Sequence, residues 1–247
     1  MAYKDTSPKK SLDTQVHNII NVAYQEVWDF QMSLHTTIKE QKIGLSKLST
    51  YEENKSSIIN HIILCEHLPV YTFGTSAKRH NLIRSESELE EEGFELHDIN
   101  RGGDITYHGQ GQVTGYLILD VELLYRDIHR YVSNIELAII LLLRDYGLNP
   151  VRLEGYTGVW ISNGRIKRKI CAIGVHLSRW VSLHGFGFNV CTDLEHFSNI
   201  IPCGISDSDK EVTSLSIELG RRVEVEEVRP LLLQKLKEVF NFNYINQ

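Results

Sequence analysis

The sequence predicts an α+β fold with a mixed or mostly antiparallel sheet, and three observations predict it. Segments of helical period stand near the start, in the middle and at the end of the chain; the β-rich runs fall in groups between them; and no β-α-β alternation repeats. With 247 residues, 42% of them hydrophobic and 23% charged, the chain is long enough to bury one large core, and a single domain is expected.

Taken in order, residues 1–15 are polar, carry Pro8 and a lysine pair, and read as a mobile tail ahead of a domain spanning residues 16–247. Over residues 16–41, Ile19, Ile20, Ala23, Val27, Phe30 and Leu34 recur at helical spacing with polar residues between them, which predicts an amphipathic helix. "SIINHIILCEH" reads as a strand buried on both faces and ended by Leu68-Pro69, with Cys65 a small core residue. "SESELEEEG" reads as a short solvated helix stopped by Gly93, "QVTGYLILDV" as another strand, and "DIHRYVSNIELAIILLLRDYG" as the best-defined helix, ending at Gly147.

Three strands follow, "VRLEGYTGVWI", "RKICAIGVHL" and "WVSLHGFGFNV", the first two joined by the hairpin signal Asn163-Gly164. Alternation along the second puts Lys169, Cys171 and Ile173 on one face and Ile170, Ala172 and Gly174 on the other. "VEEVRPLLLQKLKEVFNF" is the last helix, broken or begun near Pro230.

A formal charge of -6, with "RIKRK" the one basic block, argues against a general nucleic-acid binder. Neither a bilayer-spanning apolar run nor the apolar centre of a signal peptide is present, so a cytoplasmic protein without membrane contact is expected. Cys65, Cys171, Cys191 and Cys203 form no C-x-x-C pair, which suggests neither a zinc site nor a disulfide framework. No metal is expected.

Four features carry chemistry, each with a structural reading beside the functional one. The loop "RGGDITYHGQGQ" (residues 101–112) brings glycines that let the backbone approach a ligand, with Arg101, Thr106 and His108 as polar side chains; a plain tight turn is the alternative. Gly185 and Gly187 share one face of a strand, marking either a bulge or a site where an elongated apolar ligand meets backbone. Cys203 stands in a turn between Pro202 and Gly204, where a thiol can meet substrate and nearby N–H groups can bind an oxyanion; it is a candidate nucleophile. Lys169 precedes the buried-looking run "ICAIGV" and is either a surface lysine or a buried one with a task.

Six blocks in order then resemble the lipoyl(octanoyl) transferase family: "EHLPVYTFG", "RGGDITYHGQGQ", "RKICAIGVH", "RWVSLHGFGFNV", "PCGI" and "VTSL". The resemblance implies the catalytic fold shared with biotin and lipoate ligases, in which a large mixed sheet and a smaller sheet are flanked by helices. It implies that Cys203 is the acyl-thioester nucleophile and Lys169 its partner, and that no cofactor is needed. The substrate pocket is expected from Arg101, Gly102, Gly103, Asp104, Ile105, Thr106, Tyr107 and His108, with Ala172, Ile173, Gly174, Gly185, Phe186 and Gly187 lining an acyl tunnel. The implied donor is octanoyl-acyl carrier protein, and the implied acceptors are the lipoyl domains of 2-oxoacid dehydrogenase complexes and the glycine cleavage H protein. The rivals are an ATP-dependent lipoate or biotin protein ligase and a non-catalytic acyl-carrier-binding protein.

Overall fold

The computed structural model describes residues 11–47, 57–201 and 209–245. In chain order they form β1 (Leu12–Val22), α1 (Tyr24–Ser46), β2 (Asn60–His67), β3 (Val70–Phe73), α2 (Glu86–Glu91), β4 (Glu95–Asp98), β5 (Ile105–His108) and β6 (Gln112–Ile118). Then come α3 (Ile128–Asp145), β7 (Pro150–Leu153), β8 (Tyr156–Ser162), β9 (Lys167–Ser178), β10 (Val181–Asn189), β11 (Lys210–Val212), α4 (Leu215–Leu219), α5 (Val225–Phe240) and β12 (Phe242–Tyr244).

A large sheet runs β12-β1-β2-β6-β10-β9-β8-β7 with β11 joined to β9, and β4-β3-β5 form a second, smaller sheet. In the large sheet β1 lies parallel to β12 and β2, and β11 parallel to β9, while the other neighbours are antiparallel. The α+β expectation, a large mixed sheet and a smaller one flanked by helices, therefore holds. Alternation assigns the faces: Ile62 and Leu64 of β2 enter the core built with α3 and α5, whereas Ile63 and Cys65 enter the core built with α1. Tyr71, Phe94, Ile105 and Tyr107 form a third cluster on the small sheet.

Several expectations need correction. Residues 12–15, expected in the tail, and 16–22, expected in a helix, form β1, because the β-branched run at Val16, Ile19, Ile20 and Val22 finds strand partners on both sides. Residues 1–10 lie outside the described ones. The first helix instead begins at Tyr24 and buries Tyr24, Val27, Gln31, His35, Ile38 and Lys42. Its inner stripe is thus partly polar and rotated from the Phe30–Leu34 side that hydropathy favoured.

The predicted strand "VRLEGYTGVWI" is two strands, β7 and β8, paired antiparallel and turning at residues 154–155. The Asn163-Gly164 hairpin is present, with Asn163 N–H donating to Ile166 O at 3.3 Å and Ile166 N–H to Asn163 Oδ1 at 2.8 Å. Helix α5 begins five residues before Pro230 and continues through it. The proline sits in the second turn, where one backbone bond is lost and the buried stripe of Leu232, Leu233, Leu236, Val239 and Phe240 holds the helix to the core.

Register also corrects the facing of β9. Val159 opposes Cys171 while Trp160 opposes Lys169, so Ile170 is an extra residue in the pairing. Ile170 and Cys171 both enter the large core. The strict alternation drawn from Lys169 through Ile173 is broken there.

Candidate active site

Helix α1 covers only part of its face of the large sheet. Over the remainder lie β5 and the loop that precedes it, and between these layers is a cavity of about 650 Å³. The loop contributes Arg101, Gly102 and Gly103, and β5 contributes Ile105, Thr106 and His108. From β9 come Lys169, Ala172, Ile173 and Gly174, and from β10 Gly185, Phe186 and Gly187. Two residues expected in the pocket stand elsewhere. Asp104 turns away to accept from Lys78 N (3.1 Å) and Ile105 N (2.8 Å), and also from Asn81 Nδ2. Tyr107 points into the small-sheet core against Tyr71, Phe94 and Phe197, as strand alternation between Thr106 and His108 requires.

The glycine loop is braced rather than loose. Arg101, buried, donates from Nη2 to Thr72 O (2.6 Å) and Thr72 Oγ1 (3.0 Å), and from Nη1 to Gly102 O (3.1 Å). Gly102 N–H donates to Val175 O at 3.0 Å, tying the loop to β9. That N–H and the Ile105 N–H on Asp104 are therefore committed, and neither serves as an oxyanion donor.

The strand glycines act by close approach. A Cβ on Gly174 would stand 2.6 Å from Gly102 O, and one on Gly187 would stand 2.7 Å from Gln112 Oε1 and 3.2 Å from His108 Nδ1. They let the loop and the His108–Gln112 pair sit against the sheet, and they leave a floor of bare backbone.

His108 has a fixed tautomer. Gln112 donates from Nε2 to Tyr107 O (3.1 Å) and Asn189 Oδ1 (2.9 Å), so its Oε1 accepts the His108 Nδ1 proton at 2.6 Å and Nε2 of the ring is left as a base. Burial, reinforced by His67, lowers the His108 pKa to about 3, so the ring is neutral at pH 7.

Lys169 is 8% exposed, and its Nζ lies 4.7 Å from the centroid of the Trp160 ring. It borders a second cavity of about 410 Å³ as well, with Leu194, Phe197 and Ser198 on one side and Lys210, Glu211 and Val212 on another. The chain bracketing residues 202–208 thus lines a cavity with Lys169 on both sides of that segment. Cys203, Pro202 and Gly204 lie outside the described residues.

Tyr24, Thr114, Tyr116 and His184 also line the larger cavity and were not singled out from the sequence. The available signal was the alternation of Gln112, Thr114 and Tyr116 along a strand otherwise apolar on both faces. His184 has no comparable signal: it faces the cavity through a backbone φ of 63°. Among the described residues no group of three or more His, Cys, Asp or Glu is arranged to hold a metal.

The buried histidines make stability acid-sensitive. Burial lowers the pKa of His67 to about 4 and of His184 to about 3, alongside His108. Their folded values lie below the unfolded value near 6.5, so the stability they contribute is complete above that pH and is lost as pH falls toward the folded values. With about 1.4 kcal/mol per pH unit for each, the three together approach about 4 kcal/mol per unit. Urea unfolding at pH 7.5 and 5.5 is expected to show the drop; equal stability at the two values would contradict it.

A two-sheet α+β domain with this cavity is the catalytic domain of the lipoyl protein ligase A/B family: the family model matches residues 23–237, and the chain belongs to that family. Within it the similarity is to octanoyltransferases. The chain is 46% identical over 227 residues to the octanoyltransferase of Cytophaga hutchinsonii, covering 91% of each. It is 44% identical over 233 residues to that of Flavobacterium psychrophilum, covering 94% of this chain and 98% of the relative. In fold it is similar to a bipartite lipoate protein ligase from Thermoplasma acidophilum, with a TM-score of 0.65, 17% identity, and coverage of 94% of this chain and 87% of that one. It is likewise similar to a lipoate-protein ligase A bound with ATP, with a TM-score of 0.62, 15% identity, and coverage of 96% and 89%.

Proposed function

We propose that this chain, an acyltransferase that moves an octanoyl group in protein lipoylation, works through a thioester on Cys203 with Lys169 as the proton carrier. What carries the reading is Lys169, a buried lysine on the cavity wall. A lysine placed there can exchange protons with a substrate in the cavity, and an ammonium beside a thiol favours the thiolate.

In this mechanism Cys203 reacts as the thiolate, with the Lys169 ammonium as its proton source. The thiolate attacks the octanoyl carbonyl of the donor, acyl carrier protein; the C–S bond to the carrier breaks, and the departing carrier thiolate takes a proton from Lys169. The acceptor amine, a lysine of a lipoyl domain in a 2-oxoacid dehydrogenase complex or of the glycine cleavage H protein, then attacks the acyl-enzyme. A C–N bond forms, the amine proton returns to Lys169, and Cys203 leaves as thiolate. One thioester replaces another in the first step, and an amide replaces a thioester in the second. No nucleotide is needed to drive either.

His108, neutral and with Nε2 free of a proton, orients the cavity side of the loop rather than adding charge. Among the described residues no helix is long and apolar enough to cross a membrane. The reading places the enzyme in the cytoplasm, with its carrier.

Intact mass after incubation with octanoyl-loaded carrier and no ATP tests this. The expected result is a gain of one octanoyl group that hydroxylamine removes and that a Cys203→Ala variant lacks. No gain, together with transfer to a lipoyl domain only when ATP and free octanoate are added, would identify a ligase instead.

A further inference from the structure

We propose that Tyr24 and Tyr116 form the end wall of the acyl channel and set the octanoyl length, so that the terminal methyl meets a polar rather than an apolar stop. The inference rests on the reading above in one respect: the thioester carbon is placed at the Lys169 end of the cavity.

Strand order and register give the channel its length. β9, which carries Lys169, is separated from β6, which carries Tyr116, by β10 alone. Across this interval Gly174 opposes Gly185 and Gly185 opposes Tyr116. Strands lie about 4.8 Å apart, so the floor from Gly174 to Tyr116 is about 10 Å wide, and Lys169 stands five residues further along β9. An extended octanoyl chain has seven C–C links of about 1.5 Å that together advance about 9 Å. Along the floor, Ala172, Gly174, Gly185 and Gly187 offer nothing longer than a methyl group. Eight carbons match the width of this floor between β9 and Tyr116.

At the far end the cavity is closed. Tyr24 is 1% exposed and Tyr116 3%, and Tyr116 Oη lies 2.8 Å from His67 Nε2. His67 Nδ1 donates to Val22 O at 3.4 Å, which leaves Nε2 as the acceptor of the Tyr116 hydroxyl proton. Behind the wall His67 and Cys65 are fully buried and supply no space. Tyr24 is fixed in turn by its N–H on Glu95 Oε2 at 3.2 Å. A longer chain has to displace a hydroxyl from a buried acceptor, which costs more than one methylene gains. The opposite arm of the cavity, past Ile128, is the entrance, since Ile128 is 40% exposed.

Acyl carriers loaded with octanoyl, nonanoyl, decanoyl or 8-hydroxyoctanoyl groups test the wall. For the unaltered enzyme we expect octanoyl to exceed decanoyl transfer at least tenfold, and 8-hydroxyoctanoyl to exceed the equally long nonanoyl at least threefold. Tyr24→Leu is expected to raise the decanoyl-to-octanoyl ratio at least tenfold, and Tyr116→Phe to bring 8-hydroxyoctanoyl level with nonanoyl. Ratios within twofold of the unaltered enzyme in both folded variants would overturn the proposal. If the variants do not fold, nonanoyl equal to or faster than 8-hydroxyoctanoyl in the unaltered enzyme overturns it. Ratios that shift as expected while Cys203 takes up no acyl group would leave the wall standing and remove the thioester mechanism. A Cys203 thioester with unmoved ratios would do the reverse.

Discussion

Lys169→Met is expected to lower octanoyl transfer about 10³-fold while leaving the fold and carrier binding close to unchanged. Methionine keeps the unbranched stem and a favourable sulfur contact with the Trp160 ring, and the cation–π contact it gives up is worth about 1 kcal/mol. What disappears is the group that supplies the departing carrier with a proton and takes one from the incoming amine. Lys169→Arg separates the two duties. Arginine retains the positive charge that favours a thiolate but does not exchange its proton near neutral pH. Acyl-enzyme is therefore expected to form and to accumulate, with aminolysis as the slow step. Stopped single turnovers read by intact mass distinguish the cases, and transfer by Lys169→Arg at the unaltered rate would remove the lysine from the mechanism.

The parts of the fold legible in the sequence are those fixed by neighbours a few residues away. Ser85 caps α2 in a reciprocal capping box with Glu88, Asp127 caps α3, and Asn163-Gly164 marks the β8–β9 turn. β1 was illegible because its partners are distant: Leu12 pairs with Phe242, and Val16 with Ile62. Hydrophobic spacing alone does not reveal whether such a run will find two strands or one helical face. The polar stripe of α1 was hidden for the same reason. His35 sits opposite Val181 O, and Gln31 accepts from the His184 N–H.

In the site, the glycine blocks identified the loop and strands that line the cavity, while the tyrosine wall depended on pairing between β6, β2 and α1. The extra residue at Ile170, which reorders the faces after Lys169, depends on where β8 leaves register with β9. Neither leaves a mark in local composition. Cys203 was singled out by its Pro-Gly turn and by the family resemblance.

Lys42→Met is expected to destabilise the protein by about 3–5 kcal/mol at pH 7. Lys42 Nζ lies 2.5 Å from Asp120 Oδ1, 3.1 Å from Glu122 Oε2 and 3.0 Å from Arg179 O, with its side chain 9% exposed and that of Asp120 1%. Burial raises the Asp120 pKa even with Lys42 opposing it, and its Oδ2 has no hydrogen-bond partner among the described residues. Removing the cation leaves a buried carboxylate without compensation. Because the folded value then rises further above the unfolded one, the variant is more stable at low pH and loses stability as pH rises through the folded pKa. The gap between variant and unaltered protein in urea unfolding should therefore narrow from pH 7 to pH 5, since the histidine contribution is common to both and cancels. Asp120→Asn in the Lys42→Met background should recover at least half of the loss, because the charge that needed Lys42 is gone; no recovery would mean that packing, not charge, is what Lys42 supplies. Arg179 and Trp180 turn β9 into β10 at φ values of 52° and 63°, a conformation that disfavours side chains, and Lys42 on Arg179 O and the Val121 N–H on Trp180 O hold them there. This hairpin carries Lys169 and the glycine floor, and its turn lies nearer Gly174 and Gly185 than Lys169, so the same substitution is expected to loosen the acyl channel from the end where Tyr116 stands.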